Sequence, residues 1–474
     1  MNAAQTALLA ALRPVLGDRG IITDPDLIAP WEIDWRRRFQ GHAPAILAPA
    51  DTAQVQAVLR AAAEHRVPLV PQGGNSSMVG GATPPVDGIA LILSTRRMNR
   101  IRRIDAEGGV AVAEAGVILA DLHEAAEGQG WRFPLTLGAK GNATVGGLVS
   151  TNAGGTQVLR FGTMRGLTLG IEAVLPDGSL YNGLSALKKD NRGYDLGQLL
   201  IGAEGMLGVV TAAALRLAPA IAARATAWVG LSDPAAGLAL LRRLQAASDM
   251  IESFEILPAE SLAAAVAHLP GARAPLEGGH PWHVLIEAVT GDPSADPTAM
   301  LEAQLGRALA EGVVADAVIA VSDAQAEAFW LLRHSLSDAE RALGPAVQHD
   351  IAVPVDAMPR FMVEAAAACD ARFPGTHASG FGHLGDGNIH FHVRAAPGTD
   401  RDRFYAKDAA TITRFVHDLV TAAGGTISAE HGIGQMKRDE LARLSPERVA
   451  AIRAIKLALD PHGLFNPGKL IACA

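Results

Sequence analysis

Cysteine is almost missing from this 474-residue chain, with Cys369 and Cys473 as the only two. That excludes a disulfide framework, a cysteine-rich metal ribbon and an iron-sulfur cluster held by four thiolates of the chain. No apolar run approaches the ~20 residues that span a bilayer, so an integral membrane protein is not expected. Met1 to Arg19 places Leu8, Leu9, Leu12 and Leu16 at helical spacing but lacks the basic start and small-residue cleavage site of a secretory signal. A cytoplasmic location is the expectation. Long runs of one charge are also missing. Lys+Arg 41 against Asp+Glu 49 give a net charge of -8, which disfavours nucleic acid as the main partner. The local cluster Arg36-Arg37-Arg38 suits one anion or the solvent. With 49% hydrophobic and 19% charged residues the chain reads as soluble and globular, and its length calls for two domains.

Against this background the stretch Gly382-His383-Leu384-Gly385-Asp386-Gly387-Asn388-Ile389-His390-Phe391-His392-Val393 stands out. Asp386-Gly387 signals a turn, and the residues after it alternate. A strand here puts Asn388, His390 and His392 on one face and Ile389, Phe391 and Val393 on the other. A wet strand face would carry a single histidine without function. Three imidazoles within ten residues, bracketed by Gly385 and Gly387, favour a metal ion with a polar organic ligand. A second cluster, Ser428-Ala429-Glu430-His431-Gly432-Ile433-Gly434, adds a carboxylate. Two imidazoles and a carboxylate leave a divalent metal with open positions, the mark of a catalytic site. With Glu430 as third ligand beside His383 and His390, His431 remains to move a proton.

Glycine-rich segments make up the other unusual feature. Asp51 and Thr52 can cap a helix with Val55, Val58, Leu59 and Ala62 at the 3.6 period. A strand over 67–70 then enters the loop Pro71 to Gly81, and a second strand follows at 89–93. The order strand, loop, strand disfavours Rossmann and P-loop sites, which pass from strand to helix. Backbone N–H groups of glycines can nonetheless converge on an anion. Leu137 to Gly155 is a long run of small and polar types that core packing is not expected to use, and Ile201 to Val210 has the same character. Together the three segments suggest an extended, phosphate-bearing cofactor. Two pattern matches fail on context. Gly380, Gly382 and Gly385 lead into a turn and strand, and Leu470 stands where a P-loop needs a hydroxyl.

From about Ala220 the texture changes. Strands are expected at 225–231, 252–257, 283–289 and 313–321, and helices at 234–247, 297–311 and 323–343. Helices able to cover a face of an antiparallel sheet argue an α+β second domain.

The ordered motifs resemble the vanillyl-alcohol oxidase type of FAD flavoproteins, in the D-2-hydroxyacid dehydrogenase branch, over nearly the whole chain. The carriers are Pro71 to Gly81, Gly138 to Gly155, Leu187-Lys188-Lys189-Asp190-Asn191 with Gly193-Tyr194-Asp195-Leu196, Gly202 to Gly208, Gly382 to His390, Ser428 to Gly434, Asp460-Pro461 and Asn466-Pro467. The resemblance implies a two-domain α+β flavoprotein. Its FAD-binding domain spans 1–219, an antiparallel-sheet substrate and metal domain spans 220–454, and 455–474 return to the first. It implies FAD contacts from Pro71, Gly73, Gly74, Asn75, Ser76, Ser77 and Gly80. Further contacts come from Gly138, Gly141, Thr144, Gly146, Gly147, Thr151, Asn152, Gly154 and Gly155, then from Glu204, Gly205, Gly208, Val210 and Asn466. No histidine or cysteine lies between Val70 and Pro84, so the flavin is expected to be non-covalent. By the same resemblance His383, His390 and Glu430 ligate Zn²⁺ and His431 is the general base.

The implied reaction is oxidation of D-2-hydroxyglutarate to 2-oxoglutarate by hydride transfer to flavin N5, with D-lactate, D-malate or glycolate as alternative substrates. Arg333, Ser337 and Gln348 stand at positions where the family holds a distal carboxylate with arginine, threonine and lysine. His392 replaces a residue that is often asparagine. Gln348 removes one charge. A charge-assisted hydrogen bond contributes roughly 1.5–3 kcal/mol against about 1 for a neutral one, so a diacid is weakened about tenfold. Reduced flavin must pass its electrons to an external acceptor, electron-transfer flavoprotein or a quinone, and a homodimer is one open assembly. A flavin-free metal hydrolase would use the histidines but leave the glycine-rich segments idle. A non-catalytic binding protein would do the reverse.

Overall fold

The computed structural model describes residues 1–187 and 189–473, so Lys188 of the family-like motif lies outside the described residues. The chain divides into two compact units. The first comprises Met1–Gly155, Gly162–Ala220 and the chain from Glu430 onward; the second comprises Thr156–Phe161 and Ile221–Ala429.

In the first unit the helix Ala3–Leu16 buries Leu8, Leu9, Leu12 and Leu16. The helix Thr52–His65 starts where the Asp51 side chain accepts a hydrogen bond from the Gln54 N–H, and it buries the expected Val55, Val58, Leu59 and Ala62. Both helices share a core with Leu47, Leu69, Leu91 and Leu93. These residues belong to a sheet in which Leu91–Ser94 runs parallel to Ile46–Leu47 on one side and to Leu69–Gln72 on the other. The two strands flanking the first glycine-rich loop therefore pair in parallel with no helix between them, as the strand, loop, strand reading requires. Each lies about two residues later than expected. A second sheet is antiparallel throughout, in the order Ile101–Asp105, Val110–Glu114, Val209–Arg216, Thr168–Val174, Leu180–Asn182.

Two expectations are corrected here. Core packing does use part of the second glycine-rich run: Val145–Thr151 is helical and buries Val145, Gly146, Leu148 and Val149. Gly146 makes this possible, because a Cβ there would lie 2.6 Å from the Ala115 Cβ. The return to the first unit also begins at Glu430 rather than residue 455. Lys456 helps to bind it there, with Nζ donating to the carbonyls of Met206 at 2.6 Å and Phe465 at 2.8 Å and paired with Asp460.

The second unit is one seven-stranded antiparallel sheet in the order Asp316–Ile319, Ala223–Leu231, Trp282–Thr290, Ile251–Pro258, His377–His383, Asn388–Arg394, Ala346–Ala352. Alternation divides its side chains between two cores. Ala227, Val229, Ile256, Ile286, Ile389, Phe391 and Val393 pack with the helices Pro234–Ala247, Pro297–Ala310, Met358–Arg372 and Ala409–Ala422. Trp228, Leu257, Leu285 and Phe381 pack on the other face with Ala259–His268 and Asp323–Ala342. Fully burying one such Leu or Phe contributes roughly 1.5–3 kcal/mol, so both faces are fixed in register.

Candidate active site

The two histidine-bearing strands, His377–His383 and Asn388–Arg394, are neighbours joined by a tight turn, and Gly387 takes φ +83° there. Ile389, Phe391 and Val393 are buried on one face as expected. The opposite face is not wet: His383, Asn388 and His392 are also buried, and His390 is half-buried. The reading of these histidines as a solvated strand face is therefore set aside. The rings of His383 and His390 lie 5.5 Å apart at nearly right angles, and their ligand atoms are within 4.8 Å of one another.

Carboxylates surround this pair. Glu255, on the neighbouring strand Ile251–Pro258 and opposite His383 in register, puts Oε1 2.7 Å from His383 Nδ1. The same glutamate accepts from Arg333 Nε at 2.8 Å and pairs with Nη2 at 2.7 Å. Burial alone would raise the Glu255 carboxyl. The charges of His383 and Arg333, with their hydrogen bonds, outweigh it and hold the group below its ordinary value. Asp350 is buried opposite His390 in register and accepts from Asn388 Nδ2 at 3.0 Å. Asp386 accepts from the Asn388 N–H at 2.9 Å, and burial pushes its carboxyl up despite His383. Two imidazoles with nitrogen donors at one spot, fenced by three carboxylates, are a donor set that fits a divalent cation. In the first unit, Glu430 and His431 have ligand atoms within 4.8 Å of each other.

The residues expected to hold a distal carboxylate are less alike than the sequence suggests. Arg333 is buried, turned toward Glu255, with its Cζ 5.2 Å from the Phe381 ring centroid. Ser337 is exposed on the same helix, Asp323–Ala342. Gln348 is half-buried and faces His392 across the strand pair. His392 is buried with Nδ1 4.0 Å from Glu340 Oε2, a carboxylate that also takes Arg394 and the Ser261 hydroxyl. Glu255, Glu340, Asp350 and Phe381 escaped the sequence reading. The available signal was a charge inside an apolar strand pattern, Glu255 between Phe254 and Ile256.

In the first unit the glycine-rich segments converge. A Cβ on Gly74 would lie 1.8 Å from the Asn142 carbonyl oxygen, and one on Gly205 would lie 3.2 Å from Pro71. Asn466 Nδ2 donates to the carbonyls of Gly81 at 3.0 Å and Glu204 at 2.7 Å. Both Glu204 oxygens accept from the Ser428–Gly434 motif, one from the Ile433 N–H and one from the Gly434 N–H, each at 2.7 Å. Burial pushes this carboxyl up, against those two bonds and the charge of Lys437. Glu204, expected as a cofactor contact, thus holds the loop that carries His431. Val210 sits in the core of a strand, opposite Ala173. Thr151 bonds back to the Gly147 carbonyl, and Asn152 accepts from the Arg165 N–H. The fit to a flavin dinucleotide rests on acceptors that the protein leaves unmet. Asn75 Oδ1, Thr144 Oγ1 and Asn466 Oδ1 are buried and have no hydrogen-bond partner among the described residues. Asn75, Asn152, Glu204 and Asn466 also adopt positive φ, a conformation that non-glycine residues keep where surroundings impose it. Hydroxyl and N–H donors of a flavin dinucleotide suit such acceptors.

Comparison with known proteins bears on both units. Residues 43–183 match the FAD binding domain family, and residues 221–470 match the family described as FAD linked oxidases, C-terminal domain. The mitochondrial D-2-hydroxyglutarate dehydrogenase of Arabidopsis thaliana is 35% identical over 461 residues, 97% of this chain and 80% of that protein. The D-2-hydroxyglutarate dehydrogenase of Xanthomonas citri pv. viticola is 35% identical over 449 residues, 94% and 93% of the two chains. Among solved structures, substrate-bound p-cresol methylhydroxylase is similar with a TM-score of 0.76 at 17% identity, covering 100% of this chain and 98% of that one. The fold is the α+β, two-domain fold of the vanillyl-alcohol oxidase type, and the flavin-free hydrolase is overturned by the match to an FAD binding domain. No helix among the described residues is long and apolar enough to cross a membrane. The cytoplasmic expectation finds no support in these relatives, since the Arabidopsis protein is described as mitochondrial. With its flavin domain, its oxidase domain and relatives spanning nearly its full length, the chain belongs to the FAD-linked oxidase family, as an FAD-dependent dehydrogenase of D-2-hydroxyacids.

Proposed function

We propose that the chain oxidises D-2-hydroxyglutarate to 2-oxoglutarate with FAD and Zn²⁺, and delivers the electrons to an external electron-transfer flavoprotein or quinone. The observation that carries this reading is the adjacent His383 and His390 pair on a buried polar strand face, in a chain whose relatives act, by their names, on D-2-hydroxyglutarate. When bound, FAD supplies a two-electron acceptor at N5, and the metal lowers the pKa of the substrate's 2-hydroxyl. His383, His390 and Glu430 are the ligands in this reading. His431 takes the hydroxyl proton as general base, on a loop that Glu204 holds by two backbone N–H groups. Arg333, through its remaining Nη1, and Gln348 hold the distal carboxylate, with His392 as a further donor and Ser337 supplying a hydroxyl. The flavin is held without a covalent bond by Asn75, Thr144, Asn466 and the glycine backbones around them.

The test is the visible spectrum of anaerobic protein before and after D-2-hydroxyglutarate, then again after a chelator. The expected result is a yellow protein whose flavin bands bleach with this acid and no longer bleach once metal is removed. Bleaching by D-lactate or D-malate alone would overturn the substrate, and bleaching that survives metal removal would overturn the metal's role.

A further inference from the structure

Glu255 belongs to none of the candidate metal-ligand groups among the described residues, yet it sits at the centre of the second unit's polar face. It is fully buried, and each oxygen has its own partner: Oε1 the imidazole of His383 at 2.7 Å, Oε2 the guanidinium of Arg333 at 2.7–2.8 Å. The three residues come from three elements far apart in sequence, the strands Ile251–Pro258 and His377–His383 and the helix Asp323–Ala342. Glu255 and His383 are direct cross-strand partners, and Phe381, two residues before His383, lies under the Arg333 guanidinium at 5.2 Å. An imidazole whose Nδ1 faces a carboxylate is fixed in rotation and in tautomer. Its proton sits on Nδ1, and Nε2 becomes the metal donor. A guanidinium bound through Nε and Nη2 likewise loses its freedom to swing and presents Nη1 in one direction.

We propose that Glu255 is the positioning residue of the active site, setting with one side chain both the metal-donor orientation of His383 and the direction of the Arg333 guanidinium. The inference rests on the reading of His383 as a metal ligand. Metal affinity and the Michaelis constant for a diacid are then coupled through Glu255, though it touches neither ion nor substrate.

The experiment measures Zn²⁺ affinity, by competition with a chromophoric chelator, in flavin-loaded wild type, Glu255→Gln and the double variant Glu255→Gln/Arg333→Gln, with kcat and KM in parallel. The double variant leaves no buried guanidinium without its counter-charge, so it serves where the single variant fails to fold. Wild type is expected to bind Zn²⁺. Glu255→Gln should bind it about 10–100-fold more weakly, with the flavin spectrum unchanged. Excess Zn²⁺ should restore kcat while KM for D-2-hydroxyglutarate stays raised, a split that a merely structural role would not produce. Wild-type Zn²⁺ affinity in a folded Glu255→Gln or double variant would overturn the inference and leave the metal reading intact. A wild-type chain that binds no Zn²⁺ would overturn the metal reading itself.

Discussion

Glu204 in the first unit and Glu255 in the second each give both carboxylate oxygens to neighbours, but the neighbours differ in kind. Glu204 accepts from two backbone N–H groups, and burial still drives its carboxyl upward. Glu255 faces an imidazole and a guanidinium, whose charges overcome its burial and pull its carboxyl down. Two backbone N–H groups and the charge of Lys437 do not offset the loss of water at Glu204, whereas the charged partners hydrogen-bonded to Glu255 do. The same contrast runs through the two units. In the first unit the glycine-rich segments meet mainly through backbone, small residues and neutral amides, with Glu204 among them, whereas the histidine face of the second is made of ionisable side chains in a fixed register.

The contrast breaks most visibly at His431. Replacing it with asparagine should slow flavin reduction by D-2-hydroxyglutarate about 10²–10⁴-fold, read by anaerobic stopped flow, while FAD stays bound. A variant that lost its flavin instead would make His431 part of the cradle. Two alanines then test whether the cradle is backbone. In Gly74→Ala the new Cβ meets the Asn142 carbonyl at 1.8 Å, so a loss of about 1–3 kcal/mol in thermal unfolding is expected. Gly141→Ala meets nothing within 4 Å and should change stability by under about 0.5 kcal/mol, yet weaken FAD binding in a flavin titration. Equal effects of the two alanines on unfolding would remove the distinction. On the side-chain unit, Gln348→Lys restores a second charge and should lower KM for the diacid by roughly tenfold, leaving KM for D-lactate alone. The smallest effect concerns pH. The raised Glu204 carboxyl favours the folded state fully below the ordinary carboxylate pKa, and that contribution is lost as pH rises through the folded-state value. The stability advantage of wild type over Glu204→Gln should therefore be largest in acid and shrink as pH rises, in melts taken at several pH values.

Local pattern was legible wherever the cause is local. The helix Pro234–Ala247 has the bounds expected, because Asp233 accepts from the Ala236 N–H and Pro234 supplies the first helical φ. The alternation after Asp386-Gly387 placed every side chain of that strand on its correct face. Long-range pairing was not legible. Glu255 and His383 are 128 positions apart, and only sheet register makes them partners. Gly146 read as ligand-binding loop because composition does not distinguish a glycine that meets a ligand from one that lets a helix press on a neighbouring residue, here Ala115. Arg333 was visible as an arginine in a helix, but whether it turns to solvent, substrate or a buried glutamate depends on the neighbouring strand.

The division of the first unit also sets an order of manufacture. Asn466 and Lys456 complete contacts with Gly81, Glu204 and Met206, residues made long before them, while the long segment Ile221–Ala429 of the second unit is synthesised in between. At a translation speed of about 5–20 residues per second, these contacts of the first unit stay open for roughly 10–40 seconds while that segment is made. The first unit is thus closed by the final stretch of the message.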